Sequence, residues 1–212
     1  MPQELDKDFW EAHWQQADAP AHDEPAPDEP GPNPHLVREI AGLAPGTAMD
    51  AGCGEGTEAI WLADQGWQVT ATDISTAALA RAAERARAAG VSVGWTEADL
   101  GVWEPAGQFD LVTTHYAHPA MPQLAFYERI AEWVAPGGTL LIVGHLHSPD
   151  ATGHAHAAGT HGDQPFDEAS VTVANVAALL DAAEWDVVTA EQRTRTLHDV
   201  LLRDAVVRAI RR

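Results

Sequence analysis

Lysine is all but missing: Lys7 is the one example in 212 residues, and 12 basic side chains face 32 acidic ones for a formal net charge of −20. So anionic a surface repels phosphate backbones and anionic lipid, which argues against nucleic acid or a membrane surface as partner, and no basic patch of useful size interrupts it. Cysteine is equally scarce. Cys53 alone excludes an intramolecular disulfide and a multi-cysteine metal cluster. No stretch reaches the roughly 18 apolar residues of a membrane span, and Met1–Asp6 has neither the basic start nor the apolar run of a signal peptide. A cytoplasmic protein acting as a monomer or homodimer is the expectation.

What is present suits one large globular domain, with 45% apolar and 21% charged residues. The chain divides at residue 34. Residues 1–34 hold an aromatic segment with Phe9, Trp10 and Trp14, followed by six prolines and five acids between Asp18 and Pro34. Such a run is not expected to form regular structure and reads either as an acidic linker or flap tethering the aromatic segment or as a disordered tail. Residues 35–212 alternate between periods. Asn33 and Pro34 open a helix to about Leu43, and strands are expected at Thr47–Ala51, Gln68–Thr72, Val91–Trp95, Phe109–Thr114 and Thr139–Gly144, then Asp186–Ala190 and His198–Arg203. Helices are expected at Thr57–Gln65, from Ser75 to Gly90, along Leu124, Tyr127, Ile130, Ala131 and Val134, and along Val173, Val176, Ala177 and Leu180. Parallel strands joined by short connections must cross over through helices, so the pattern predicts a parallel sheet covered on both faces. Ligands of such sheets lie beyond the strand carboxyl ends, where the strand order reverses.

That edge carries the chemistry-bearing residues. The first strand runs into Asp50-Ala51-Gly52-Cys53-Gly54-Glu55-Gly56 and then directly into a helix. Its glycines allow a tight turn and let a bulky ligand approach the main chain. Asp73 closes the second strand, where a carboxylate can accept from both hydroxyls of a ribose, and Asp99 follows the third, where one can accept from an adenine amine. Three acids at successive strand ends describe an adenosine site. A dinucleotide turn wants Gly-x-Gly-x-x-Gly, whereas Gly52, Gly54 and Gly56 give Gly-x-Gly-x-Gly with Thr57 at the next position. Asp50 and Glu55 also put negative charge where a pyrophosphate would sit, which favours the cationic, amine-bearing end of S-adenosylmethionine.

With these motifs, the strand Phe109–Thr114 and the turn Pro136-Gly137-Gly138, the sequence from about Pro32 resembles the class I S-adenosylmethionine-dependent methyltransferases. Trp10, Trp14, Pro32-Asn33-Pro34 and the stretch Gly54–Ala63 look like the small enzymes of the tellurite-resistance and thiopurine methyltransferase group. The resemblance implies a Rossmann-like α/β fold: seven strands, mostly parallel with the last antiparallel, and helices on both faces. It implies Asp73 on the ribose, Asp99 near the adenine and the Gly52–Gly56 turn beside the methionine moiety, with Asp50, Cys53, Ile74, Leu100 and Thr114 completing the cofactor contacts. Cys53 reads as a small side chain packed under the turn rather than a nucleophile. Trp61 and Trp67 read as core.

Histidine is abundant, with 11 residues. His115 and His118 flank Tyr116 past the fourth strand, and His145, His147, His154, His156 and His161 follow the fifth. His115, His118 and His145 are the expected catalytic candidates, with Trp10, Trp14, Tyr116 and His147 lining the acceptor pocket. The last three histidines divide evenly between a solvated loop and a site. The His-x-His pairs lack an accompanying acidic ligand set, so no metal is assigned. The expected reaction is methyl transfer from S-adenosylmethionine to a small molecule. A thiol, selenol or tellurium oxyanion needs little base help, whereas a hydroxyl or amine acceptor would use a histidine base. The rivals are a nicotinamide-dependent oxidoreductase and a non-catalytic S-adenosylmethionine-binding protein.

Overall fold

The computed structural model describes residues 6–16, 31–146, 171–197 and 200–212. Six helices and seven strands are formed among them: α1 (Lys7–Gln16), α2 (Pro34–Glu39), β1 (Thr47–Ala51), α3 (Thr57–Asp64), β2 (Gln68–Asp73), α4 (Thr76–Ala89), β3 (Gly94–Glu97), β4 (Phe109–His115), α5 (Gln123–Ala131), β5 (Val134–His145), α6 (Val173–Ala178), β6 (Trp185–Leu197) and β7 (Val200–Arg211). The strands build one sheet in the order β3-β2-β1-β4-β5-β7-β6. β1 to β5 pair in parallel, and β7 runs antiparallel to both β5 and β6. This is the expected Rossmann-like α/β sheet with its last strand reversed.

Each central strand feeds two cores, because successive side chains point to opposite faces. Val112, Leu140, Ile142 and Val207 pack with Phe126 and Ile130 of α5 and Val176 of α6. Their neighbours Leu111, Leu141, Val143 and Val206 pack on the other side with Leu36 of α2, Leu62 of α3 and Leu79 of α4. Burial on both faces explains why these strands read as near-continuous apolar runs. Asn33 caps α2 by accepting from the His35 amide at 2.9 Å, with Pro34 in the first turn. Ser75 caps α4 through the Ala78 amide, and Gly90 ends it in the left-handed conformation.

Four boundaries differ from expectation. α2 stops at Glu39 because Gly42, at φ 86, turns the chain. β3 starts at Gly94 rather than Val91, since the Val91 amide still bonds to Ala86 in leaving α4. Val134 belongs to β5, not to the face of α5. The last two strands are far longer than Asp186–Ala190 and His198–Arg203: β6 and β7 pair from Trp185↔Arg211 to Leu197↔Val200, with one register shift between Val187 and Thr189. Six arginines in residues 193–212 hid the short apolar run Ala205, Val206, Val207 and Ala209, which β7 buries on both faces of the sheet. Most of the proposed acidic flap, and His147, His154, His156 and His161, lie outside the described residues.

Candidate active site

Strand order reverses between β1 and β4, so the crevice opens at their carboxyl ends. The glycine turn forms its floor. The amides of Gly52 and Cys53 both donate to the Thr72 carbonyl at 2.9 Å, and Gly52, Gly54 and Gly56 have φ of 80, 51 and 76. Only glycine takes up such angles without strain. A side chain at Gly52 would also strike Ala117, 2.4 Å away, and one at Gly56 would strike the Trp95 ring. Thr114 ties the two strand ends together by donating to the Ala51 carbonyl at 2.8 Å. Cys53 is buried beneath the turn, and burial pushes its thiol up, which suits packing rather than nucleophilic attack.

Asp73 stands at the end of β2. Its carboxylate accepts from the Gly54 amide at 2.8 Å and the Ser75 amide at 2.9 Å, so it shapes the turn and retains lone pairs for a ribose. Asp50 is buried below it, and its Oδ2 has no hydrogen-bond partner. Burial, then the nearby charges of Glu58 and Asp73, push its carboxyl well above the usual range. Neighbouring carboxylates and burial thus hold Asp50 back from ionising, a penalty that a cationic ligand would relieve and a pyrophosphate would aggravate. Glu55 has no part in this: it pairs with Arg81 at 2.9 Å and Arg85 at 3.9 Å, so the charge assigned to it from sequence is spent on α4. Asp99 is exposed, and its carboxylate accepts from the Gly101 amide at 2.8 Å to close the turn after β3. Ile74 follows Asp73 directly, and Leu100 is buried beside the β1 edge.

Helix α1 lies over this half of the crevice. A Cβ on Gly54 would come within 3.1 Å of the Trp14 ring. Glu11 accepts from Ser75 Oγ at 2.7 Å, Thr76 Oγ1 at 3.0 Å and the Ala77 amide at 3.2 Å, bonding α1 to the amino end of α4. Arg81 donates to the Trp14 carbonyl, and Lys7 pairs with Glu97. Trp10 packs edge-on against Phe9 and His13. Trp14 therefore stands over the glycine turn, on the cofactor side. The bonds from Ser75 and from the first turn of α4 hold the Glu11 carboxyl down at about 2, against an ordinary 4.5. A lowered carboxyl pKa means docking is complete above pH 4.5 and is lost as pH falls through about 2. Tryptophan fluorescence should report α1 leaving in that window, and Glu11→Gln should weaken docking at neutral pH and remove this acid-dependent step.

The acceptor side is built from residues far apart in sequence. Asp204 of β7, fully buried, accepts from Tyr116 Oη at 2.9 Å and Arg195 Nε at 2.8 Å, and lies 3.1 Å from His35 Nε2. Asn33 donates to Tyr116 Oη at 3.0 Å. His145 stacks on the Tyr116 ring with centroids 4.1 Å apart and an 18° tilt. Burial alone would raise Asp204, but His145, Arg195 and Tyr116 hold its carboxyl below the ordinary value. Burial keeps the His35 imidazole low despite Asp204, and pushes the Tyr116 phenol up, so both stay neutral and donate. Tyr116 is the one described non-glycine residue at positive φ, 56, and this bend carries Ala117 against Gly52 while aiming the ring at Asp204. Strain of this kind costs about 1–3 kcal/mol and collects at functional sites.

Of the expected catalytic histidines, His145 joins this cluster. His115 does not: it sits on the sheet face covered by α2 and α3, burial lowers its imidazole, and its Nδ1 has no partner. His118 is half-buried in the loop after β4. Asn33, His35, Arg195 and Asp204 were missed as site residues. No local signal marks them, because β7 brings Asp204 opposite His145 only through the reversed pairing of the last strand.

Residues 48–138 match the methyltransferase domain family. Over 127 residues the chain is 32% identical to the ribosomal RNA small subunit methyltransferase C of Alcanivorax borkumensis, covering 54% of this chain and 38% of that protein. It is 34% identical over 118 residues to the ubiquinone biosynthesis O-methyltransferase of Pseudomonas paraeruginosa, covering 54% and 51%. The chain thus spans about half or less of these relatives. In structure it is similar to a protein solved for the conversion of a disulfide bond into a thioacetal group during echinomycin biosynthesis, with a TM-score of 0.70, 22% identity and 97% and 91% of the two chains covered. TehB from Haemophilus influenzae aligns at a TM-score of 0.62 and 15% identity over 84% and 61%. The matched residues contain the glycine turn and lie within the sheet just described, so residues 48–138 are similar to a methyltransferase domain.

Proposed function

We propose that this chain binds S-adenosylmethionine and transfers its methyl group to a small molecule, with a sulfur, selenium or tellurium acceptor as the favoured class. The observation that carries the reading is the cluster of carboxyl groups in the crevice: Asp50 Oδ2 is buried without a partner beneath the glycine turn, with Glu58 and Asp73 nearby, so that ionising it calls for a cation. A sulfonium and an ammonium answer that charge, whereas the phosphates of a nicotinamide dinucleotide do not. Asp73 would hold the ribose, the Gly52–Gly56 turn the amino-acid end, and Asp99 with Leu100 the adenine side. When bound, the cofactor supplies an electrophilic methyl and its own good leaving group. The protein then has to align the acceptor at near-attack contact, about 3–3.5 Å, and keep water out.

Trp14 above Gly54 supports α1 as the cover of the cofactor half. Similarity to the protein of disulfide-to-thioacetal conversion supports a soft acceptor, since that conversion is sulfur chemistry. Calorimetry should show S-adenosylhomocysteine binding at micromolar concentration and no heat with the nicotinamide dinucleotides at millimolar. The reverse ranking would remove the reading. Methylation of a panel of small thiols separates an enzyme from a sensor that binds without turnover.

A further inference from the structure

We infer that Asp204 and His145 form a base pair of residues that takes the proton of the acceptor, so the substrate carries a dissociable proton on the atom that is methylated. This rests on the methyl-transfer reading above. Asp204 is 0% exposed, and its Oδ2 is saturated by Tyr116, Arg195 and His35. Its other oxygen, Oδ1, is buried without a hydrogen-bond partner and faces His145 Nδ1 at 3.6 Å. A shift of a few tenths of an ångström closes that bond, and catalytic contacts commonly tighten in this way when substrate binds. A proton on Nδ1 directed at Asp204 leaves the lone pair on Nε2, because the hydrogen bond made by one ring nitrogen fixes the state of the other.

The surroundings restrict the imidazole to this role. Stacking on Tyr116 fixes the ring plane, and the Tyr116 ring is itself held by Asn33 and Arg195 at its hydroxyl. The His145 side chain is 44% exposed, so Nε2 is open to a substrate, while the anion that supports it is shut away from water. The bend at Tyr116 that sets Ala117 on Gly52 places this pair next to the cofactor turn. Asp204 is a positioning residue in this scheme and His145 the catalytic one. As the acceptor atom gains the methyl carbon, the sulfonium sulfur keeps the electron pair of the broken bond. The acceptor proton passes to His145 Nε2, and the imidazolium so formed is neutralised by Asp204. Thiols, selenols and hydroxyls meet the requirement; thioethers do not.

The decisive measurement is the imidazole tautomer of His145, read by long-range proton–nitrogen NMR on the full chain at a pH where the ring is neutral, with His145→Gln assigning the signals. The Nδ1–H form is expected in the wild type, with reversion to Nε2–H in Asp204→Asn. An Nε2–H form in the wild type overturns the inference, whether or not the Asp204 variant folds. A second readout uses thiols of graded acidity, from alkyl thiols to nitrothiophenol, as acceptors at pH 7. His145→Gln should slow those still protonated at least tenfold and leave an already ionised nitrothiophenolate nearly unchanged. An equal loss across the series overturns the base assignment. Calorimetry with S-adenosylhomocysteine keeps the two readings apart: a chain that binds none yet shows Nδ1–H contradicts the cofactor reading, and one that binds it yet shows Nε2–H contradicts the Asp204–His145 pair alone.

Discussion

Replacing Asp73 by alanine should weaken S-adenosylhomocysteine binding by about 1–3 kcal/mol, or roughly five- to 150-fold in Kd, while the chain stays folded. Two losses combine. The ribose hydroxyls lose a charged acceptor, and the Gly54 and Ser75 amides lose the carboxylate that sets the shape of the turn. Stability should change little, because Asp73 is already held above the ordinary carboxylate value, by burial first, so its charge costs the fold something in the free protein. Asp73→Asn keeps one acceptor oxygen and is expected between wild type and alanine. Titration calorimetry reads both, and an unchanged Kd for the alanine variant would remove Asp73 from the cofactor site.

Deleting residues 1–30 should leave a folded domain that binds S-adenosylhomocysteine at least tenfold more weakly. Neither buried core includes Trp10 or Trp14, and Asn33 with Pro34 remains to start α2. α4 loses the Glu11 carboxylate at its amino end but keeps the Ser75 cap. The cost therefore falls on the site rather than on the fold: removing the Trp14 face from Gly54 exposes apolar surface worth about 1.5–3 kcal/mol and opens the crevice to water. Circular dichroism melting and calorimetry separate the outcomes. A truncated chain that melts early or aggregates would make α1 part of the permanent core, and one that binds as tightly as the full chain would remove its role as a cover.

The cofactor half was legible because its signals are local. Glycines at 52, 54 and 56 are demanded by backbone angles that other residues resist, and Asp50 and Asp73 sit at fixed distances along two consecutive parallel strands. Periodicity likewise located β1, β2, β4, α3 and α4 within a residue or two. Glu55 shows the limit of such reading even here. Its position in the turn suggested a ligand contact, but α4 presents Arg81 and Arg85 one helical turn apart, and an ion pair with them outweighs a free carboxylate in the crevice.

Sequence spacing therefore determined the parallel sheet and the class of ligand at the β1 and β2 edge, since each follows from near-neighbour spacing and the steric needs of a turn. The reversed last strand was implied only by the resemblance to the family. Tertiary structure decided the acceptor side. Asn33, His35, Tyr116, His145, Arg195 and Asp204 come from α2, the ends of β4 and β5, and the β6–β7 ladder, and no period or spacing links them. What joins them is the antiparallel register that sets Asp204 opposite His145, together with the cost of burying a carboxylate, which is met only where several donors converge on it from separate elements.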